Sequence, residues 1–132
     1  MANTMQADLV APERKLASVQ ATQVLVPGAE GDMTVMPGHA PVITSLRPGK
    51  LTIVSEAGEE SYAVTGGFAE ISQDGIAVLA ERALPAAEFT AEIAAQLVDE
   101  ARKAHAEATP SVAEMTAKML ADMEALGAHM LG

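Results

Sequence analysis

The chain has 132 residues, of which 49% are apolar and 20% are charged. This length and composition fit one small domain with an appendage and exclude a disordered chain, because enough apolar side chains are present to build a core. Eighteen acidic residues against eight basic ones give a net charge of −10. That balance argues against binding of nucleic acid or of an anionic membrane surface, since both need clustered lysine and arginine.

The chain contains no cysteine. Disulfides, thiolate catalysis and cysteine-based zinc sites are therefore excluded, and the composition fits a reducing cytoplasm. No stretch is long and apolar enough to span a membrane. Residues 1–6 lack the basic and apolar segments of a signal peptide and the arginines of a transit peptide, so we expect no leader.

Turn signals divide the first two-thirds of the chain into short segments. Pro-Gly pairs fall at residues 27–28, 37–38 and 48–49, a spacing that predicts short strands in a sandwich or barrel. The predicted strands are the runs rich in β-branched residues at 23–26, 51–54, 61–65 and 76–79. Connections this short leave no room for crossover helices, so mostly antiparallel pairing is expected. Several runs are apolar on both faces, which favours strands packed between two layers.

From about Pro85 the pattern becomes helical, and two apolar stripes follow at steps of three and four residues. The first stripe contains Phe89, Ile93, Leu97, Ala101 and Ala104, and the second contains Val112, Met115, Met119, Met123, Leu126 and Met130. The second helix has two candidate starts: Thr109 as the N-cap before Pro110, or a capping box of Ser111 and Glu114. The predicted fold is α+β, an N-terminal antiparallel β-sandwich (residues 1–84) followed by a C-terminal antiparallel helical hairpin (residues 85–132).

The methionine-rich second stripe has two interpretations. It is either ordinary core packing against the first helix, or an adaptable surface that repacks against different partners, because methionine is flexible and polarizable. The sequence leaves both open, with packing favoured.

A search for catalytic or metal-binding residues yields none. His39 follows Gly38 in a loop, and a metal site of the cupin type would need a second histidine where Pro41 stands. His105 and His129 fall on predicted solvent-facing helix surfaces. No nucleophile and base stand in a recognisable order, and the turn at residues 28–32 has no phosphate-binding lysine and carries two acids. We therefore predict no enzyme activity, no cofactor and no metal.

Five short motifs in fixed order resemble the epsilon subunit of F-type ATP synthases. They are Val-Pro-Gly-Ala-Glu-Gly-Asp at 26–32, Met-Pro-Gly-His-Ala-Pro-Val at 36–42, Leu-Arg-Pro-Gly-Lys-Leu at 46–51, Gly-Gly-Phe-Ala-Glu at 66–70 and Val-Leu-Ala-Glu at 78–81. The order and spacing are similar over residues 5–83, and the layout of the hairpin is similar to the end of the chain. The expected absence of a transit peptide favours the bacterial form.

The resemblance implies a non-catalytic rotor subunit of the central stalk. Its sandwich would bind the gamma subunit and sit on the ring of c subunits, so that proton-driven rotation is coupled to ATP synthesis. An extended hairpin would reach the catalytic alpha and beta subunits. The implied interface residues are Glu30, Gly31 and Asp32 towards the ring, and Pro37, Gly38, His39 and Pro41 towards gamma. The implied location is peripheral, at the cytoplasmic face of the bacterial inner membrane, without insertion into it.

Two positions depart from the nucleotide-binding signature that many bacterial members carry at the start of the hairpin. Thr90 stands in place of the aspartate, and Ile93 in place of the arginine. Without that guanidinium a phosphate has no bidentate partner, so we expect no ATP binding. A similar string at residues 99–102 lies ten residues too late and is interpreted as coincidence. We also expect weak or absent inhibition of hydrolysis by the hairpin.

The alternative function is a free-standing β-sandwich that binds a small ligand. Such a module needs an aromatic platform or a polar pocket. Tyr62, Phe68 and Phe89 are the only aromatic residues, which disfavours the platform. Association with gamma and the ATPase head would separate the two functions.

Overall fold

A computed structural model describes residues 3–131, and Met1, Ala2 and Gly132 of the two predicted domain ranges lie outside it. The described residues form ten strands, one short 3-10 turn and two helices. The strands are β1 Met5–Ala11, β2 Arg14–Ala21, β3 Gln23–Gly28, β4 Gly31–Val35, β5 Val42–Ser45, β6 Gly49–Ser55, β7 Gly58–Val64, β8 Gly67–Ile71, β9 Gly75–Ala80 and β10 Ala83–Pro85. The 3-10 turn is Ala86–Glu88, and the helices are α1 Ala91–Ala106 and α2 Ala113–Leu131.

The strands form two five-stranded sheets. Sheet 1 has the order β2-β1-β9-β8-β5, and sheet 2 has the order β10-β7-β6-β3-β4. Among the paired strands of the described residues, β1 and β9 run parallel and all other pairs are antiparallel. The α+β fold with a sandwich and a helical hairpin is therefore confirmed, as is the mostly antiparallel pairing.

The main core lies between the two sheets and consists of aliphatic side chains. Leu9 and Ile71 reach it from sheet 1, and Val24, Leu51 and Val64 reach it from sheet 2, each at most 2% exposed. These side chains alternate with outward ones along each strand, as the period of two in a strand requires. The scarcity of aromatic residues is compensated by branched aliphatic residues, which pack well on a pleated surface.

A second, smaller core joins the hairpin to the outer face of sheet 2. Ala63 of β7 is buried there against Phe89, Leu97 of α1 and Leu126 of α2. Strands β6 and β7 are therefore buried on both faces, and successive residues along them are buried. This agrees with the prediction that some strands pack between two layers. Leu79 of β9 does not follow that prediction, because its outward face is 41% exposed.

The strand prediction missed several elements, of which β1 and β2 are the longest. β1 alternates buried and less buried residues, but two of its inward residues, Ala7 and Ala11, are weak strand formers. β2 is an edge strand with mostly exposed residues, so it lacks an apolar signature. The last strand ends at Pro85.

The hairpin differs from its predicted apolar stripes. On α2 Met115 is 64% exposed and Met119 is 37% exposed, whereas Leu120 packs against the smaller core. Ala104 on α1 is exposed as well. Core packing is therefore wrong for Met115 and Met119, and it is confirmed for Met123, Leu126 and Met130, which belong to the smaller core or pack against it.

The helix ends are set by local hydrogen bonds. The Thr90 hydroxyl accepts a hydrogen bond from the Ile93 amide at 3.2 Å and caps α1. Both predicted starts of α2 are wrong, because the helix begins at Ala113. The Thr109 and Ser111 hydroxyls instead bond each other at 3.0 Å in the connecting turn.

Candidate functional site

The acidic turn lies at the tip of the β3–β4 hairpin. Gly28 pairs with Gly31, so Ala29 and Glu30 form the two-residue connection. Gly31 has φ of 147°, a conformation that favours glycine. Glu30 is exposed, and within residues 3–131 its carboxylate has no hydrogen-bond or ion-pair partner. The predicted turn is therefore a tight hairpin that presents the carboxylates of Glu30 and Asp32 to solvent.

Residues 45–47 fasten this turn to the sandwich. The Ala29 amide donates to the Ser45 carbonyl oxygen at 2.8 Å, and the Arg47 amide donates to the Pro27 carbonyl oxygen at 3.0 Å. The Arg47 guanidinium donates to the Gly28 carbonyl oxygen and forms an ion pair with Asp32. The base of the turn is thus held at several points, while its tip projects outward.

The loop that carries His39 connects β4 of sheet 2 to β5 of sheet 1. The Gly38 amide donates to the Gln73 carbonyl oxygen at 3.1 Å, which ties the loop to the β8–β9 turn, and Gly38 has φ of 84°. The half-buried His39 ring donates through Nδ1 to the Ala40 carbonyl oxygen at 2.7 Å. Over residues 3–131 no three metal-ligating side chains cluster. The His39 ring is therefore engaged with local backbone.

The acidic turn and the His39 loop lie at opposite ends of β4. The turn precedes Gly31 and the loop follows Val35, which separates them by roughly 15–20 Å at the rise of an antiparallel strand. Two contacts with two different partners are therefore geometrically possible, and the two predicted residue groups do not form one site.

The outer face of sheet 1 carries an apolar patch that the sequence reasoning missed. Ile43 is 68% exposed, and Phe68 and Leu79 are each 41% exposed. Phe68 pairs with Leu79 across β8 and β9, and Leu79 pairs with Val10 on β1. We define these four side chains as the sheet 1 patch. Next to it, Pro41 borders a shallow groove along the same outer face, so the His39 loop and the patch are neighbours.

Two exposed ion pairs connect the sandwich to the start of the hairpin. Arg14 bonds Glu88 through both guanidinium nitrogens at 3.1 and 3.3 Å, and Arg82 bonds Glu100 at 2.8 Å. The Arg14 hydrogen bond and charge hold the pKa of the Glu88 carboxyl below its ordinary value. These pairs flank a cleft of about 470 Å³ between the sandwich and α1.

The residues at the expected nucleotide position have structural roles. Thr90 caps α1, and Ile93 lines the cleft beside Phe89 and Leu97. An aliphatic side chain therefore occupies the position at which the signature has its arginine. The Ile93 side chain supplies packing at this position and no charge for a phosphate.

The other two histidines behave differently from each other. His129 is exposed, as predicted. The prediction for His105 is wrong: the ring is half-buried at the α1–α2 contact, where its Nδ1 lies 2.7 Å from the Thr116 hydroxyl oxygen. Since that hydroxyl donates to a backbone carbonyl of its own helix, it accepts from His105, and the bond joins the two helices.

The fold defines a class of small proteins with a β-sandwich and a helical hairpin. Among residues 3–131, no helix is long and apolar enough to cross a bilayer. Residues 4–86 match the family described as ATP synthase, Delta/Epsilon chain, beta-sandwich domain. The ATP synthase epsilon chain of Rhodobacter capsulatus is 64% identical over 130 residues, covering 98% of both chains. That of Ruegeria sp. is 55% identical over 135 residues, again covering 98% of both.

Solved structures show the same fold at low sequence identity. A chain of the Euglena gracilis mitochondrial ATP synthase (OSCP/F1/c-ring) superposes with a TM-score of 0.76 at 22% identity, covering 100% of this chain and 83% of that one. A chain of the Tetrahymena thermophila mitochondrial ATP synthase central stalk and c-ring gives 0.68 at 18% identity, covering 95% and 94%.

The chain belongs to the epsilon subunits of ATP synthases. It is therefore a non-catalytic stalk subunit of an enzyme complex, as the resemblance predicted. The alternative of a free-standing ligand-binding sandwich is not retained, because the match to epsilon chains extends over nearly the whole sequence.

Proposed function

We propose that this subunit couples rotation of the c-ring to the catalytic head by binding the gamma subunit through sheet 1 and the ring through the acidic turn. One observation carries the proposal: the two sheets have unequal outer faces. The hairpin packs against the outer face of sheet 2 and leaves Leu25 partly exposed there, whereas the outer face of sheet 1 leaves the larger set of Ile43, Phe68 and Leu79 in solvent. A contiguous exposed apolar patch marks an interaction site.

The gamma contact would combine the sheet 1 patch with the adjoining His39 loop. Pro37, Gly38, His39 and Pro41 form a loop that is fixed to the β8–β9 turn and borders the groove beside the patch. A rigid loop next to an apolar surface suits a stable interface, because little conformational entropy is lost on binding.

The ring contact would use the hairpin tip at Glu30, Gly31 and Asp32. The tip lies at the end of β4 opposite to the His39 loop, so one subunit could hold gamma and the ring at the same time. An exposed carboxylate favours a basic or polar partner.

We propose that the hairpin inhibits hydrolysis weakly. In residues 110–132 the acids Glu114, Asp122 and Glu124 outnumber the single base Lys118. Insertion beside an acidic segment of the catalytic head would bring like charges together, which costs several kcal/mol. The exposed Met115 and Met119 supply apolar contact, so docking is disfavoured and not forbidden. No nucleotide would be needed to hold the hairpin down.

The subunit would lie at the cytoplasmic face of the bacterial inner membrane, held there by its partners. The net charge of −10 favours attachment through protein subunits over direct contact with anionic lipid, which attracts basic segments.

The gamma contact is tested by co-purification of gamma with full-length chains. Phe68→Asp and Ile43→Asp place charges in the sheet 1 patch, and each should weaken gamma binding at least tenfold, because an unpaired charge would be desolvated at the interface. Leu25→Asp, at a position 39% exposed on sheet 2, is the matched control and should bind normally. Normal binding by both sheet 1 variants would refute the assignment.

The ring contact is tested by ATP-driven proton pumping relative to ATP hydrolysis. Glu30→Lys should reduce this ratio partially, since an exposed ion pair contributes only about 0–1 kcal/mol. Glu59→Lys reverses an exposed charge on another hairpin and should leave the ratio unchanged. Equal ratios for Glu30→Lys and the unmodified chain would remove the ring assignment.

A further inference from the structure

The outer face of sheet 1 carries an acidic row beside its apolar patch. Asp8 on β1 pairs in register with Ala77 on β9, and Ala77 pairs with Glu70 on β8. These three side chains point away from the core, because the residues on either side of each one along its strand are buried. We define Asp8, Ala77 and Glu70 as the acidic row. Ile43 of the sheet 1 patch pairs with Glu70, so the acids and the apolar side chains form one continuous surface.

Ala77 leaves a gap between the two carboxylates. Neighbouring strands lie about 4.8 Å apart, so the backbones of Asp8 and Glu70, which are two strands apart, are separated by roughly 10 Å across Ala77. The Ala77 side chain is a single methyl group, and all three residues line a shallow groove of about 640 Å³. An arginine or lysine side chain that lies over Ala77 would reach both carboxylates.

The two acids differ in how they are held. The Gln6 amide donates to Asp8 Oδ1 at 3.0 Å, and the Gln20 amide donates in turn to Gln6 Oε1 at 2.7 Å. Hydrogen bonding from Ser18 and Gln6 holds the pKa of the Asp8 carboxyl below its ordinary value, so this acid is charged and fixed before a partner binds. Glu70 is exposed, and within residues 3–131 its carboxylate has no ion-pair partner.

The charge of the groove points to the chemistry of its occupant. The described residues that line it include the acids Asp8, Glu70 and Asp74 and no basic side chain. A second copy of this chain, packed face to face, would bring one acidic row against another, and such contacts between like charges are unfavourable. The sheet 1 patch next to the row needs apolar side chains on the partner as well. A protein surface with a basic residue among apolar ones meets both requirements.

We infer that gamma places an arginine or lysine between Asp8 and Glu70, over Ala77, while its apolar side chains cover the sheet 1 patch. The inference names the chemistry of the gamma surface, and it rests on the proposed function for the identity of the partner. The patch then supplies the buried apolar area. The acidic row fixes the register of the two subunits, because charge complementarity contributes more to specificity than to affinity.

The first experiment measures binding of the full-length chain to an ATPase head that retains gamma and lacks epsilon. Asp8→Asn and Glu70→Gln keep the shape of each side chain and remove its charge. Each should weaken binding about three- to tenfold in about 0.1 M salt, and the loss should shrink in about 1 M salt, where the screening length is about 3 Å. Normal binding by both variants in about 0.1 M salt would overturn the inference.

Asp74→Asn is the matched control. Asp74 lines the same groove, but it lies in the β8–β9 turn, outside the acidic row. This variant removes the same charge and should bind nearly as well as the unmodified chain. A loss equal to that of Glu70→Gln would show a general effect of negative charge and would overturn the specific position between the two acids.

The second experiment locates the basic residue on the partner. Each arginine and lysine of gamma is replaced by glutamine in turn, and binding is measured with the unmodified chain and with Glu70→Gln. For the base that lies over Ala77, the replacement should weaken binding less with Glu70→Gln than with the unmodified chain, because the two residues share one interaction. Independent losses at every base of gamma would contradict the inference.

The patch variants separate this inference from the proposed function. If Phe68→Asp weakens binding and both row variants bind normally, the gamma contact stands and the role of the acidic row is refuted. If the patch variants and the row variants all bind normally, the gamma contact through sheet 1 is itself refuted.

Discussion

The β-sandwich and the helical hairpin bury their apolar side chains to very different extents. The sandwich encloses a continuous aliphatic core between two sheets, with Leu9, Leu51 and Val64 fully buried. The hairpin has a much smaller buried set and leaves Met115, Met119 and Leu131 in solvent. Because stability follows buried apolar area, most of the free energy of folding resides in the sandwich.

The difference in burial agrees with the separate tasks that we propose for the two parts. The proposed coupling function needs a part that holds its shape under torque, and the sandwich has the core to do so. The hairpin is attached through one small apolar cluster and two exposed ion pairs, Arg14 with Glu88 and Arg82 with Glu100. Local opening free energies are low where few apolar contacts are buried, so the hairpin is the part able to detach.

The largest expected effect comes from matched cavities in the two cores. Leu51→Ala should lower the free energy of unfolding of the whole chain by about 2–5 kcal/mol, the range for leucine truncation in a packed core. Leu126→Ala, at an equally buried position of the hairpin, should release the hairpin and change the unfolding of the sandwich little. Urea denaturation followed by circular dichroism, with proteolysis of the hairpin, measures both.

Val19→Ala, at an exposed position of β2, is the control for these cavities and should be close to neutral. A loss of sandwich stability in Leu126→Ala as large as that in Leu51→Ala would show one cooperative unit and contradict the comparison.

The sandwich should also lose stability in alkali through Tyr62. Burial, together with a 2.9 Å hydrogen bond from its hydroxyl to Glu60, raises the pKa of Tyr62 from 10 to about 12. The folded state therefore holds the phenolic proton longer than the unfolded state. The resulting stability is present below pH 10 and is lost as the pH rises towards 12. Tyr62→Phe should remove this component from the unfolding free energy measured between pH 9 and pH 12. An identical pH dependence in both chains would contradict it.

The smallest effect should be a weaker attachment of the hairpin at acidic pH, through the Arg14–Glu88 ion pair. Arg14 holds the pKa of Glu88 below its ordinary value, so the pair stabilises the attached hairpin above about pH 4.5 and less as the pH falls through the lowered pKa. Glu88→Gln should make the hairpin modestly more sensitive to protease at pH 7 and remove this part of the acid dependence. Glu92→Gln, in the first turn of α1, is the control. Equal sensitivity of Glu88→Gln and the unmodified chain would exclude a role for the pair.

Sequence periodicity predicted the two-part fold well because turn spacing and helical stripes are local signals. It failed where the signal depends on neighbours. The edge strand β2 has little apolar pattern to detect, and β1 uses alanines that the partner sheet covers. On α2 the apolar residues are spread widely enough to allow two inward faces, and packing against sheet 2 selects Leu120 over Met119.

The candidate surfaces also differ in whether a local sequence signal could reveal them. The motifs around Glu30 and His39 are contiguous in sequence, so they could be found by resemblance. The link between Arg47 and Asp32 joins the connection between β5 and β6 to strand β4, and only the folded chain brings the two residues together. The sheet 1 patch could not be predicted, because strands of both sheets carry apolar residues on both faces. The apolar pattern alone does not distinguish the outer face that packs against the hairpin from the outer face that is exposed to solvent.

We propose that the sandwich alone couples the rotor to the catalytic head and that the hairpin inhibits hydrolysis only weakly. The most direct measurement compares ATP synthase assembled with the full chain and with a chain that ends at Pro85, where β10 ends. We expect the shortened chain to fold with β-type circular dichroism, ATP-driven proton pumping to be retained, and hydrolysis to rise less than tenfold. Loss of pumping, or a rise of tenfold or more, equivalent to about 1.4 kcal/mol of inhibitory free energy, would contradict it.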